Sequence, residues 1–174
     1  MTELVEYDAA WPGLFARAAA GLQALGGADW EIEHIGSTSI PGLVAKPIID
    51  LAVRVGSFDE LDARQQQFDA AGWLRLRRQP RSHRVRVRQD GRVRTHIAHF
   101  FTVEQWDSCH QRLFRDWLLA HPADCAAYRT AKLHAADRDG AEYTERKQPV
   151  VLEIVNRARD ARGLAPIDDL DPEA

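Results

Sequence analysis

The segment HIGSTSIPGLVAKPIID, from His34 to Asp50, places three hydroxyls, two glycines, two prolines, a lysine and a closing aspartate between two apolar runs. Hydroxyls and backbone N–H groups gathered behind a glycine make a cradle for an anion, because Gly36 lets a ligand approach the main chain closely. Ser37, Thr38 and Ser39 would supply the hydroxyls and Lys46 a point charge. As a structural turn or cap the same run would be unremarkable, and the GxxxxGK[ST] spacing of a P-loop is absent. Asp50 strengthens the cradle reading, since it interrupts the apolar run from Pro47 to Val55. Strand alternation sets it opposite Ile49, Leu51 and Val53, so that the apolar set can face a core while the carboxylate faces a cleft. A hydroxyl-rich turn beside an acid on the next strand suits a magnesium-phosphate site.

The elements that must position these groups follow from periodicity. Residues 9–25 carry Trp11, Leu14, Phe15, Ala18, Leu22 and Leu25 at helical spacing, with Asp8 as N-cap and Gly26-Gly27 beyond the end. Residues 30–35 and 47–55 read as neighbouring strands of one sheet joined by the cradle. Ser57 and Glu60 form a capping box that opens a helix to about Ala71. A strand over Trp73 to Arg78 follows, and then a long hairpin, SHRVRVRQDGRVRTHIAHFF, with its turn at Gln89-Asp90-Gly91. From Glu104 the pattern is helical, with breaks at His121-Pro122 and Asp139-Gly140 and a last helix from Thr144 to Arg162. The acidic tail after Gly163, residues 164–174, is expected to fray.

The hairpin carries a second candidate feature. A three-residue loop with left-handed Gly91 would place Arg84, Arg86, Arg88, Arg92, Arg94 and His96 on one face, and Val85, Val87, Val93, Thr95, Ile97 and His99 on the other. A two-residue Asp90-Gly91 loop would instead set arginines opposite valines. The basic face could protect an exposed sheet edge, or bring Arg94 and Arg86 to phosphate oxygens, which a planar guanidinium grips in pairs.

Composition sets the outer bounds. The chain has 174 residues, a 45% hydrophobic fraction and a formal charge of −3, which suit one domain over 1–174 with no general attraction to nucleic acid or membranes. Cys109 and Cys125 both fall in helical segments, so no disulfide framework is expected. The N-terminal stretch has no basic segment followed by an apolar core, and no run of apolar residues is long enough to span a bilayer. The cytoplasm is the expected location.

These residues carry a resemblance. The Gly-Ser turn after one strand and the aspartate on the next resemble the nucleotidyltransferase fold of the DNA polymerase beta superfamily. More specifically, HIGSTSIPGLVAKPIID is similar to the signature of the GrpB family, as are VEYDAAW, RTHIAHF, LFRDWLLAHP and EYTERKQP. The resemblance implies a mixed α/β (α+β) fold: a central mixed sheet with the basic hairpin, an N-terminal helix and a C-terminal helical bundle. It also implies a site in which Asp50, His96 and His99 do the chemistry and Asp50 and His99 hold a divalent metal, magnesium or manganese in first place and zinc in second. Gly36, Ser37, Thr38, Ser39, Lys46 and Arg94 would bind the ligand, and Tyr143 and Lys147, four apart on the last helix, would close the cleft. The superfamily pattern has two acids at alternate strand positions, whereas Asp50 is followed by Ala52.

Three functions are consistent with this reading. The first is a nucleotidyltransferase that binds a nucleoside triphosphate, or a related phosphorylated molecule, and passes a nucleotidyl group to an acceptor. The second is a non-catalytic nucleotide or phosphometabolite module, favoured by Ala52. The third, an RNA-associated protein, is disfavoured because the hairpin lacks a stacking series of aromatics.

Overall fold

The computed structural model describes residues 2–27, 29–76, 79–138 and 140–170. Five strands form one mixed sheet in the order β1-β2-β5-β4-β3, where β1 is Glu31–Ile35, β2 Ile49–Val55, β3 Leu74–Arg75, β4 Arg84–Asp90 and β5 Val93–Thr102. Only the β2–β5 pair is parallel; the other three are antiparallel. Helix α1 (Trp11–Gly26) and the short helices α2 (Phe58–Ala63) and α3 (Gln65–Ala70) accompany the sheet. The chain then continues as α4 (Val103–Trp106), α5 (His110–Ala120), α6 (Pro122–Ala135) and α7 (Gly140–Asp160). This is the mixed α/β architecture the sequence led us to expect.

Register divides the sheet into two working faces. Ile49, Leu51 and Val53 pair with His96, Ala98 and Phe100, and this face packs on Trp11, Leu22, Leu61, Phe68 and Trp73. On the other face Asp50 and Ala52 pair with Ile97 and His99, and Ile35, Ala52 and Phe101 pack on Trp106 and Cys109. The helical bundle is tied to this second side through Glu33 of β1. Both Arg112 and Arg115 donate to its carboxylate, at 2.7 and 2.5 Å. Burial alone would raise the Glu33 carboxyl, but the two guanidinium hydrogen bonds outweigh it and hold the pKa below the usual value.

Several local expectations change. The N-cap of α1 is Ala10, and Asp8 instead accepts the Ala10 N–H at 2.8 Å. The helix expected from Ser57 to Ala71 is broken at Arg64, with Leu61 and Phe68 buried on either side of the break. Ser57 makes no side-chain cap; Glu60 reaches back to the Gly56 N–H and accepts the Trp30 indole N–H. The third strand is shorter than expected, and Arg77 and Arg78 lie outside the described residues. The last helix starts earlier, at Gly140. The segment after Gly163 does not fray at once, since Asn156 exchanges two hydrogen bonds with the Ile167 backbone, both 2.9 Å. Residues 171–174 lie outside the described residues.

The hairpin has neither of the loops weighed from sequence. Asp90 pairs with Val93 around Gly91-Arg92, and a bulge follows, so that Gln89 faces Arg94 while Arg88 faces His96. Arg84, Arg86 and Arg88 do share a face with His96, but Arg94 falls out of phase with them. The shared face is not a charged surface. Arg84 lies over the Phe58 ring at 4.7 Å, Arg86 over Phe68 at 4.2 Å and Arg88 over Trp73 at 4.8 Å. Arg86 also donates to Trp73 O, and Arg88 to Ala71 O, which satisfies carbonyls just past the end of α3. The arginines are spent on roofing the sheet with α2 and α3.

Candidate functional site

The Ile35–Asp50 pairing brings the end of β1 against the start of β2, so Gly36 lies directly on the aspartate. Gly36 has φ 70° and ψ −175°, a combination essentially reserved for glycine. A Cβ there would lie 2.3 Å from Asp50 Oδ2. Ser37–Ser39 then form one turn of 3₁₀ helix. Ser39 Oγ donates back to Gly36 O at 2.6 Å, and Thr38 Oγ1, almost fully buried, donates to Ile48 O at 3.2 Å. His34 Nε2 therefore donates to Thr38 Oγ1, at 3.0 Å. Burial, with the Arg115 charge second, lowers His34 to about 4, which keeps it neutral. Thr38 and Ser39, expected to bind ligand through their hydroxyls, use them to fold the turn. Ser37 is the hydroxyl that turns toward the helices.

What it meets there is a lysine that our sequence reading did not select. Lys132 of α6 is 2% exposed, and its Nζ donates to Ser37 Oγ at 2.7 Å. Tyr128, one helical turn earlier, places its hydroxyl 3.5 Å from the same oxygen. Helix α7 repeats the arrangement: Tyr143 and Lys147 are also four apart, and Lys147 Nζ lies 5.2 Å from the Tyr143 ring centre. Lys46, from the loop before β2, sits over the other part of this group with Nζ 4.3 Å from the Tyr143 ring centre. Three lysines, two tyrosines and Ser37 thus gather near Asp50, whose charge reaches Lys132.

The electrostatics record the crowding. Burial lowers Lys132 to about 8, with Lys147 and Lys46 pushing the same way and Tyr128 and Asp50 opposing. Burial pushes Tyr143 up to about 12. For Tyr128 burial acts upward too, but Lys147, Lys132 and the Ser37 hydrogen bond together bring its pKa below the usual phenol value. A buried ammonium with two further lysines near it is prepared for an added negative charge.

On the sheet itself the histidines separate. His99 shares Asp50's face, with Nε2 at 3.8 Å from Asp50 Oδ1. His96 lies on the opposite face, edge-on to Trp73 and bonded through Nδ1 to Thr95 Oγ1, so it cannot join Asp50 in the chemistry assigned to it from sequence. The odd separation of three positions from 96 to 99 makes this a necessity of strand alternation. Arg86 is likewise on the far face. Arg94, near the hairpin tip, has no hydrogen bond or ion pair with the lysine cluster among the described residues. A second residue missed from sequence is His83, whose Nε2 lies 2.9 Å from His99 Nδ1.

The donor set does not fit a resident divalent ion. Among the described residues no group of three or more His, Cys, Asp or Glu side chains converges, and Asp50 with His99 would leave half of a zinc and most of a magnesium coordination sphere unfilled. The position of the second acid is closed by packing: Ala52 is 0% exposed and belongs to the cluster of Ile35, Phe101, Trp106 and Cys109. Ala52→Asp is therefore expected to cost about 3–5 kcal/mol in urea unfolding, and to leave magnesium affinity as weak as in the parent. A stable variant with new, tight metal binding would show that the acid had room.

Comparison with known proteins agrees with the fold. The family model described as "GrpB protein" matches residues 1–157. The chain is 37% identical to UPF0157 protein SCO7215 of Streptomyces coelicolor, covering 91% of this chain and 85% of that protein. It is 34% identical to UPF0157 protein BH1888 of Halalkalibacterium halodurans, covering 89% and 81% respectively. The crystal structure of conserved protein GrpB from Enterococcus faecalis superposes with a TM-score of 0.81 at 26% identity, over 92% of this chain and 99% of that one.

Proposed function

The chain belongs to the GrpB family, and from that premise we propose that it binds a nucleoside triphosphate or a related phosphorylated small molecule, with the phosphate tail among Ser37, Lys46, Lys132 and Lys147. The observation that carries this is the burial of the Lys132 ammonium, 2% exposed, against the Ser37 hydroxyl at 2.7 Å. Taking an ammonium out of water costs several kcal/mol, and the Ser37 hydroxyl that Lys132 donates to is neutral. A phosphate dianion or polyphosphate beside it would offset that cost. It would also explain why Gly36 keeps the Ser37 turn pressed against the sheet edge. The lysines take the role that two metal ions would play elsewhere, which is the neutralisation of phosphate oxygens.

Whether bound ligand turns over is a separate matter, and the packed Ala52 favours a module without two-metal chemistry. An RNA surface on the hairpin has no support, because Arg84, Arg86 and Arg88 are engaged with α2 and α3 and their aromatic rings. No helix among the described residues is long and apolar enough to cross a membrane. Nucleoside triphosphates are solutes of the cytoplasm, where the proposal accordingly places the protein.

Calorimetric titration with pyrophosphate tests the reading. Binding is expected both in excess EDTA and in magnesium, because the positive charge is supplied by the chain. Binding that appears only with magnesium would move the site to a metal-carried ligand, and no binding in either would remove the phosphate tail from this cluster.

A further inference from the structure

A line of polar groups crosses the apolar layer beneath the cluster. Ser82 Oγ lies 3.0 Å from His83 Nδ1, His83 Nε2 lies 2.9 Å from His99 Nδ1, and His99 Nε2 lies 3.8 Å from Asp50 Oδ1. His83 and His99 are 1% and 3% exposed, and the Phe101 ring stacks on His83 at 4.7 Å. Ser82, by contrast, is exposed and borders a cavity of about 220 Å³ with Phe101, Gln105 and Ser108. The line thus runs from the Asp50 carboxylate to a solvent opening on another side of the molecule.

A ring nitrogen bonded to a ring nitrogen needs one hydrogen between them, so the tautomers of the two histidines are coupled. Two arrangements leave both rings neutral. In one, Ser82 donates to His83 Nδ1, His83 Nε2–H donates to His99 Nδ1, and the His99 Nε2–H points toward Asp50. In the other, His99 Nδ1–H donates to His83 Nε2, His83 Nδ1–H donates to Ser82 Oγ, and His99 Nε2 presents a lone pair beside Asp50.

We propose that His83 and His99 form a proton relay that serves the Asp50 end of the phosphate site and discharges at Ser82. This rests on the phosphate-binding reading and adds turnover to it: group transfer from the bound phosphate ester to a hydroxyl. The acceptor O–H gives its proton to His99 Nε2, while its oxygen bonds to phosphorus and the bond to the leaving phosphate breaks with its electron pair. His99 passes its Nδ1 proton to His83 Nε2, His83 passes its Nδ1 proton to Ser82 Oγ, and the former Ser82 proton leaves to solvent. One proton enters and one leaves, and no imidazolium is ever buried. The gap at 3.8 Å between Asp50 and His99 is too long for a hydrogen bond, and an acceptor oxygen lying to one side of it would contact both groups.

The coupling can be read without ligand, by two-bond ¹H–¹⁵N spectra of protein labelled at its histidines, with His83→Gln and His99→Gln for assignment. In the parent at pH 7.5 the two rings are expected to share one tautomer at a time, with the Nδ1–H arrangement that accepts a proton populated beside the Nε2–H arrangement. Asp50→Asn, which removes the charge that orients the line, is expected to move both rings toward the Nδ1–H tautomer together. Ser82→Ala, a change at an exposed position, gives the same reading from the other end, with a shift expected at His99. Neither ring responding beyond its immediate neighbour, or an imidazolium on either ring in the parent, would overturn the relay. His83→Gln is expected to bind pyrophosphate like the parent, so that failure of the relay and failure of the phosphate site remain distinct results.

Discussion

Lys132→Met is expected to make the protein more stable and to abolish pyrophosphate binding. Methionine matches the length and apolar stem of lysine, and the charge it removes is 2% exposed. The Lys132 pKa falls from 10.5 to about 8, with burial as the largest cause. Between those values the folded state binds fewer protons than the unfolded chain, so the cost of the buried ammonium is present in full below about pH 8 and disappears as pH rises through 10.5. In urea at pH 7 the variant should gain about 2 kcal/mol, and the parent should close that gap at high pH. Affinity for pyrophosphate should fall by about two orders of magnitude, the effect of a lost buried charge-assisted contact. Opposite signs for stability and binding mark a residue kept for its ligand. A variant that is less stable and binds unchanged would make Lys132 a structural strut for Ser37.

Gly36→Ala is expected to cost the fold a large share of its stability. The new Cβ would meet Asp50 Oδ2 at 2.3 Å and Asp50 Cβ at 2.9 Å, on a backbone with φ 70°. Backbone strain and overlap together should cost about 4 kcal/mol, read as a fall in the urea midpoint with unchanged slope. Asp50→Ala in the same chain removes the overlap with the carboxylate but leaves the Cβ at 2.9 Å and the dihedral strain, so the double variant should recover part of the loss. Full additivity of the two changes would mean that Gly36 and Asp50 do not share the close contact described.

The sheet and its helices were legible because alternation and helical spacing are properties of neighbouring residues. Ile49, Leu51 and Val53 identify their face without reference to any partner, and the same alternation was enough to separate His96 from His99. Hairpin details were not legible in this way. The bulge beyond Gly91 depends on how β5 settles against β2, a contact between segments more than forty residues apart, and the arginines' aromatic partners come from α2 (Phe58), α3 (Phe68) and the connection to β3 (Trp73). At the site, Ser37 and Asp50 were visible, but their cationic partner on α6 was not chosen. A signal for it was present: YRTAK from Tyr128 and YTERK from Tyr143 repeat one Tyr-x-x-x-Lys pattern on consecutive helices. Only the second was selected, and pairing it with the first would have pointed to Lys132. His83 had no comparable signal, since its meaning lies in a contact with His99 across the hairpin.

The most direct measurement is the affinity of the parent for methyl diphosphate in EDTA, compared at pH 7 and pH 9.5. This ligand loses its last proton near pH 6 and holds constant charge over the interval, so the protein's own protons are what changes. With a pKa of about 8, Lys132 is mostly charged at the lower pH and mostly neutral at the higher, and Tyr128, with its pKa pulled down by Lys147 and Lys132 against burial, acts in the same direction. Binding at least tenfold weaker at pH 9.5 is the result the lysine-held phosphate site requires. Equal or tighter binding at pH 9.5 would contradict it.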